Sequence, residues 1–85
     1  MLEEYTDKVK ESGLEYKVYP NTGLINITDT DGVVQSYYST TGTAVFRDGK
    51  GKYWQVKQHR EYNMPFDRFL TLCKGEEDII ETFFD

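Results

Sequence analysis

The sequence predicts an α+β domain: an antiparallel five-stranded β-meander, with an N-terminal helix and two short C-terminal helices packed on one of its faces. Three observations lead there. Apolar residues fall at helical spacing at the start of the chain (Leu2, Tyr5, Val9) and again near its end (Phe66, Phe69, Leu70, Cys73). Between these segments the period drops to two. The alternating runs are rich in valine, threonine and aromatic residues, and short turn sequences separate them. Residues 33 to 59 form the longest such stretch, and the remaining segments read as packed against it or leading to it.

Taken in order, Leu2, Tyr5 and Val9 stand among Glu3, Glu4, Asp7, Lys8, Lys10 and Glu11, which predicts a short amphipathic helix that stops at Ser12-Gly13. Leu14, Tyr16 and Val18 then alternate with Glu15, Lys17 and Tyr19 until Pro20-Asn21-Thr22-Gly23 turns the chain. Ile25 and Ile27 alternate with Leu24, Asn26 and Thr28 in a second strand. Asp29-Thr30-Asp31-Gly32 starts like a calcium loop, but Thr40 stands where the closing bidentate acid belongs, so an Asx-type hairpin turn is expected.

Residues 33 to 59 supply three more strands, punctuated by Ser39-Thr40-Thr41-Gly42 and Asp48-Gly49-Lys50-Gly51. If Ala44 and Phe46 face inward, Trp54 and Val56 are expected beside them, leaving Tyr53, Gln55, Lys57 and His59 on the opposite face. Tyr37 and Tyr38 are adjacent and must point to opposite faces, in an order that spacing alone leaves open. Pro65 belongs in the first turn of the next helix, whose stripe is Phe66, Phe69, Leu70 and Cys73 and whose stop is Lys74-Gly75. Glu76, Glu77 and Asp78 suit the first turn of a last helix, with Ile79, Ile80, Phe83 and Phe84 as its apolar side. This tail is expected to dock on the core; the alternative is a sticky surface for a partner.

A chain of 85 residues makes one domain of modest stability, and because 15% of it is aromatic, a ring-rich core is expected. The net charge of −5 and pI of 4.8 argue against a free-standing basic nucleic-acid binder and for a basic or amphipathic partner. The charge is unevenly placed. Residues 1 to 34 hold seven acids against three bases, residues 47 to 60 hold five bases against one acid, and residues 76 to 85 hold five acids and no base. The single cysteine, Cys73, allows no internal disulfide and points to a reducing compartment. No apolar run reaches the roughly 18 residues of a membrane span. Met1-Leu2-Glu3-Glu4 lacks the start of a signal peptide, so a cytoplasmic protein with no membrane partner is expected.

His59 is the only histidine, and no nucleophile motif accompanies it, so no catalytic residue, metal site or cofactor is expected. Asp48-Gly49-Lys50-Gly51-Lys52 lacks phosphate-loop spacing and opens a strand, which makes it a hairpin loop. Two surfaces are candidates for binding. One is acidic: Glu76, Glu77, Asp78 and Glu81, joined by the carboxylates of the N-terminal helix, would present spaced negative charge like a phosphate backbone to the basic groove of a nucleic-acid enzyme. The other is basic and aromatic: Tyr53, Lys57, His59 and Arg60, with Arg47, Lys50 and Lys52 nearby, would form a stacking surface for single-stranded nucleic acid or a nucleotide.

The run Tyr37-Tyr38-Ser39-Thr40-Thr41-Gly42-Thr43, followed by a short strand, a basic turn and Phe69-Leu70, resembles small uncharacterised proteins carried by phages and mobile elements of Gram-positive bacteria. The likeness covers the middle third to half of the chain and carries over no site residue. It implies an inhibitor or sequestering agent acting on a host protein, defence nucleases among the targets. The expected function is therefore a non-enzymatic binding protein that inhibits a host protein. The alternatives are a sheet-based module for single-stranded nucleic acid or a nucleotide, and a small virion structural or assembly protein that self-associates, as a homodimer for instance, through Ile79, Ile80, Phe83 and Phe84.

Overall fold

Three of the four predicted turns, at Pro20-Asn21-Thr22-Gly23, Asp29-Thr30-Asp31-Gly32 and Ser39-Thr40-Thr41-Gly42, each close one hairpin of the sheet. In the computed structural model, which describes residues 2–52 and 54–85, helix α1 (Leu2–Ser12) leads into strands β1 (Tyr16–Tyr19), β2 (Leu24–Thr28), β3 (Val34–Tyr38), β4 (Thr43–Arg47) and β5 (Gln58–Glu61). Helix α2 (Phe66–Cys73) and a π-helical turn (Ile80–Phe84) follow. The strands lie in chain order and every neighbouring pair is antiparallel, so the sheet is the expected meander, with β1 and β5 at its edges.

Local chemistry sets the turns. Asp29 forms the Asx turn between β2 and β3: its Oδ1 accepts the backbone N–H groups of Asp31 and Val33, both at 2.9 Å. Gly75 ends α2 at φ +78°, and a methyl group there would stand 2.8 Å from Thr30 Oγ1, so the position demands glycine on two counts. The Thr30 N–H in turn donates to the Cys73 carbonyl at 3.1 Å, tying the β2–β3 turn to the end of α2.

Register sorts the side chains. Val18, Ile25, Tyr37, Ala44 and Glu61 form one cross-strand row on the inner face, and Tyr16 pairs with Ile27 and Phe46 with His59 in the next. Tyr37 is the inward member of the tyrosine pair, 3% exposed, and its hydroxyl donates to the Met64 carbonyl at 2.7 Å. The helices cover this face through a continuous chain of rings. Tyr5 of α1 stacks on Phe66 (4.5 Å between centroids), and Phe66 meets Tyr37 (5.2 Å). Tyr37 meets Phe69 (5.1 Å), Phe69 meets Phe46 (5.6 Å), and Phe46 stacks on Phe83 (4.7 Å). The ring-rich core is thus a spine running from the first helix to the last turn, and the tail docks on it.

Where ladder pairing stops, a side chain takes over. The β3–β4 register extends only to Ser36 opposite Val45. Beyond it the buried Gln35 amide bonds the backbone of Arg47 twice, accepting from its N–H (2.6 Å) and donating to its carbonyl (3.0 Å). The same amide nitrogen donates to Asp29 Oδ2 at 3.1 Å, so one residue joins the Asx turn to the end of β4.

The fifth strand departs from expectation. Between β4 and β5 the described residues 48–52 and 54–57 belong to no strand; the connection is closed by the Asp48 N–H to the Lys57 carbonyl (3.2 Å) and the Lys57 N–H to Asp48 Oδ1 (3.0 Å), and β5 begins only at Gln58. Trp54 is therefore not a core residue: it lies in the loop, 64% exposed, with Lys52 Nζ 5.1 Å from its ring centroid. Because the loop shifts the parity of everything after it, His59 pairs with Phe46 and faces inward, contrary to the outward row predicted for it. The last helix also shortens. Ile79 is buried and Phe83 and Phe84 are half-buried, but Ile80 is 45% exposed, so the apolar side is three residues and not four.

Cys73 is fully buried on α2, and burial, with a smaller contribution from Asp29, pushes its thiol far above the usual range. It should resist alkylation in the folded protein and react at once in denaturant; rapid labelling under native conditions would contradict the packing described. Burial also raises the Tyr37 hydroxyl, with Tyr5 adding to the effect. Both groups stay neutral in the fold while their unfolded counterparts ionise, near 9.0 for the thiol and 10.0 for the phenol. Stability should therefore be fully present below about pH 9 and decline as pH rises through the unfolded values, measurable as falling denaturation midpoints.

Candidate functional site

Ten carboxylates against four basic residues lie on α1 and on residues 66 to 85, the layer that covers the inner sheet face. In α1 the packing side is Leu2, Tyr5 and Val9, which turns Glu3, Asp7 and Glu11 away from the core, each one helical turn beyond the last. At about 1.5 Å rise per residue these three are spaced about 6 Å apart along a straight rod, with Glu4 beside them. All four are exposed, and none has an ion-pair partner among the described residues. Lys8, on the flank of this ridge, pairs instead with Asp67 of α2 at 2.7 Å; the carboxylate holds its ammonium above the usual lysine range. That pair is exposed on both sides and contributes little to stability.

The acids predicted as binding residues in the tail are more committed. Glu77 pairs with Arg68 at 2.6 Å, and Glu76 lies 3.8 Å from Lys74. Asp78 accepts the Glu81 N–H at 3.0 Å and so caps the π-helical turn. Only the Glu81 side chain is left exposed and unpaired among these four. The ridge on α1 is the part of the acidic surface that residue counting under-weighted; the helical spacing of Glu3, Asp7 and Glu11 was the feature that could have found it.

The described members of the predicted basic-aromatic row are not on one face. Tyr53 lies outside the described residues. Lys57 sits at the mouth of the 48 to 57 loop, Arg60 points to the outer face, and His59 points to the inner one. There the His59 ring stacks on Phe83 (4.6 Å, 18° between planes) and its Nε2 lies 2.8 Å from Glu61 Oε1, so the histidine holds the docked tail.

A different arrangement occupies the outer face. Its charged strand residues are Lys17, Arg47 and Arg60, with no carboxylate among them, and none of the three is in an ion pair among the described residues. Arg47 lies across the sheet, its Nη1 donating to the Val34 carbonyl (2.9 Å) and to Ser36 Oγ (3.1 Å), while Ser36 donates to Asn26 Oδ1 (2.7 Å). Partial burial lowers the Arg47 pKa from the usual arginine value, the cost of a cation half out of water with no counter-ion.

At one end of the helix layer an open cleft of about 330 Å³ lies between the β2–β3 turn and the tail, with Asp29, Asp31, Asp48, Glu77 and Asp78 around Val33, Leu72 and Ile79. Asp29, Asp78 and Glu77 already serve the turn, the tail and Arg68. Among the described residues no three His, Cys, Asp or Glu side chains are grouped to hold a metal ion, and no helix is long and apolar enough to cross a membrane. Neither a protein-family model, nor a curated protein, nor a solved structure matches this chain.

Proposed function

We propose that the protein is a non-enzymatic binding protein that acts in the cytoplasm by occupying a host enzyme, of the kind a phage or mobile element must restrain, such as a defence nuclease. The observation that carries this reading is the unpaired carboxylate ridge of α1. Single negative charges repeated at about 6 Å on a rigid rod are what the basic groove of a nucleic-acid enzyme is built to hold. The helix is anchored at Tyr5 and Val9 within the core, so the ridge is presented without ordering cost at the moment of binding. The resemblance of the middle third to half of the chain to small phage and mobile-element proteins points to the same class of target.

The test is affinity capture from a bacterial lysate at moderate salt, comparing the wild type with Asp7→Lys/Glu11→Lys and with Arg60→Glu on the opposite face. The wild type and Arg60→Glu should retain one stoichiometric protein whose action on nucleic acid they suppress. The α1 variant, folded by circular dichroism, should lose at least about tenfold in affinity. The absence of any stoichiometric partner, or capture indifferent to the α1 reversal, would overturn the proposal.

A further inference from the structure

The outer face of the sheet carries no helix, and register divides its residues into two neighbouring rows. Tyr19, Leu24 and Tyr38 are cross-strand partners in one; Lys17, Asn26, Ser36, Val45 and Arg60 are partners in the next. The first row is a pair of rings flanking an apolar floor, about 10 Å apart at two strand spacings. The second begins and ends on a cation. Arg47 is the diagonal neighbour of Arg60 across β4 and β5, about 7 Å away backbone to backbone.

We infer that this face binds single-stranded nucleic acid, with Arg47, Arg60 and Lys17 taking phosphates and Tyr19 and Tyr38 stacking on bases. The guanidinium of Arg47 is already positioned for it. Nη1 is held by Val34 and Ser36, and among the described residues no acceptor serves the Nε–Nη2 edge, the edge that takes a phosphate oxygen pair in parallel. A ring-bearing row beside a cationic row matches a strand of nucleotides, whose bases and phosphates run in parallel tracks. An acidic peptide would satisfy the cations and leave the rings unused, and a double helix cannot offer its bases to them.

The net charge of −5 does not oppose this reading. The molecule is at least 22 Å across in every principal direction, and its acids are concentrated on the helix layer, beyond the sheet. Because exposed charges are screened over a Debye length of about 8 Å at physiological salt, the field at the outer face is set mainly by the charges nearest to it, Lys17, Arg47 and Arg60, with Glu15 at the β1 edge. A shallow groove of about 250 Å³ across β1 to β3, lined by Glu15, Tyr16, Lys17, Tyr19, Asn26, Thr28 and Val34, continues the same surface to the β1 edge, where Glu15 is its one carboxylate.

The experiment is fluorescence anisotropy of a labelled oligouridylate of about 20 nucleotides, titrated with the intact protein at several salt concentrations. Saturable binding is expected, with a slope of log affinity against log salt of about −2, the value for three neutralised phosphates on a single strand. Arg60→Glu and Lys17→Glu, both at exposed positions that leave the fold intact, should each weaken binding at least about tenfold. Tyr38→Ala should weaken it about tenfold without changing the slope. Asp7→Lys/Glu11→Lys should bind as well as the wild type or better, which separates this surface from the acidic ridge. No binding at low salt, equal competition by polyglutamate, duplex bound as tightly as single strand, or indifference to both Arg60→Glu and Tyr38→Ala would each overturn the inference.

Discussion

Phe46→Ala is expected to remove about 3–5 kcal/mol of folding stability, the range for truncating a fully buried phenylalanine. Phe46 is 0% exposed and stands at the centre of the ring spine, 5.6 Å from Phe69 on one side and 4.7 Å from Phe83 on the other. The cavity would therefore open where α2, the sheet and the tail meet, and none of the three can close it without abandoning the others. An 85-residue domain has about 5–10 kcal/mol in total, so the variant should lose about a third or more of its stability and its denaturation midpoint should fall accordingly. Denaturant titration followed by tryptophan-independent far-UV dichroism measures this directly, since Trp54 lies in the exposed loop and reports poorly on the core. Phe83→Ala is the companion measurement. It should cost less, because Phe83 is half-buried, and should release His59 from its stacked position while leaving the sheet folded. Wild-type stability in Phe46→Ala would mean that the spine is not continuous.

Gln35→Leu is expected to cost about 2–4 kcal/mol despite its close match in volume. Leucine would fill the space but leave Arg47 N–H, the Arg47 carbonyl and Asp29 Oδ2 without the partners that the amide supplies. Gln35 is 1% exposed, so water cannot replace those bonds without opening the end of the β3–β4 hairpin. The loss should appear as faster hydrogen exchange at Arg47 and Val33 before any change at the opposite end of the sheet. Uniform destabilisation with no local change at Arg47 would contradict this assignment. Arg47 also orients its guanidinium on the outer face, so Gln35→Leu offers a second readout: oligonucleotide affinity should fall even in the fraction that remains folded.

The meander was legible because its causes are local. Pro20-Asn21-Thr22-Gly23, the Asx turn at Asp29 and the turn ending at Gly42 each dictate a reversal from three or four residues, and the alternation at Ile25 and Ile27 dictates which side is core. The last hairpin failed for the opposite reason. Asp48-Gly49-Lys50-Gly51 looks like a tight turn, but the closing bonds are made by Asp48 with Lys57, nine residues apart. Nothing within four residues of Gly49 announces that distance, and Trp54, an apolar residue at strand spacing, argues falsely for the shorter loop. One residue of slip then moved His59 from the outer face to the inner one, on the opposite side of β5 from Arg60.

The acidic surface follows the same division. That the ends of the chain are acidic is a matter of composition; which acids are spent on Arg68, Lys74 and Lys8, and which stand clear, depends on how α2 and the tail pack. By itself, the sequence determined the α+β meander class, the inward faces of β1, β2 and β4, the helix stops and the segregation of charge along the chain, because each arises from interactions between residues a few positions apart. Only the tertiary structure decided the parity of β5, the seating of Phe83 between Phe46 and His59, and the position of Arg47 across an open sheet face. Those depend on contacts between residues tens of positions apart, whose energies are settled by the packing of the whole core.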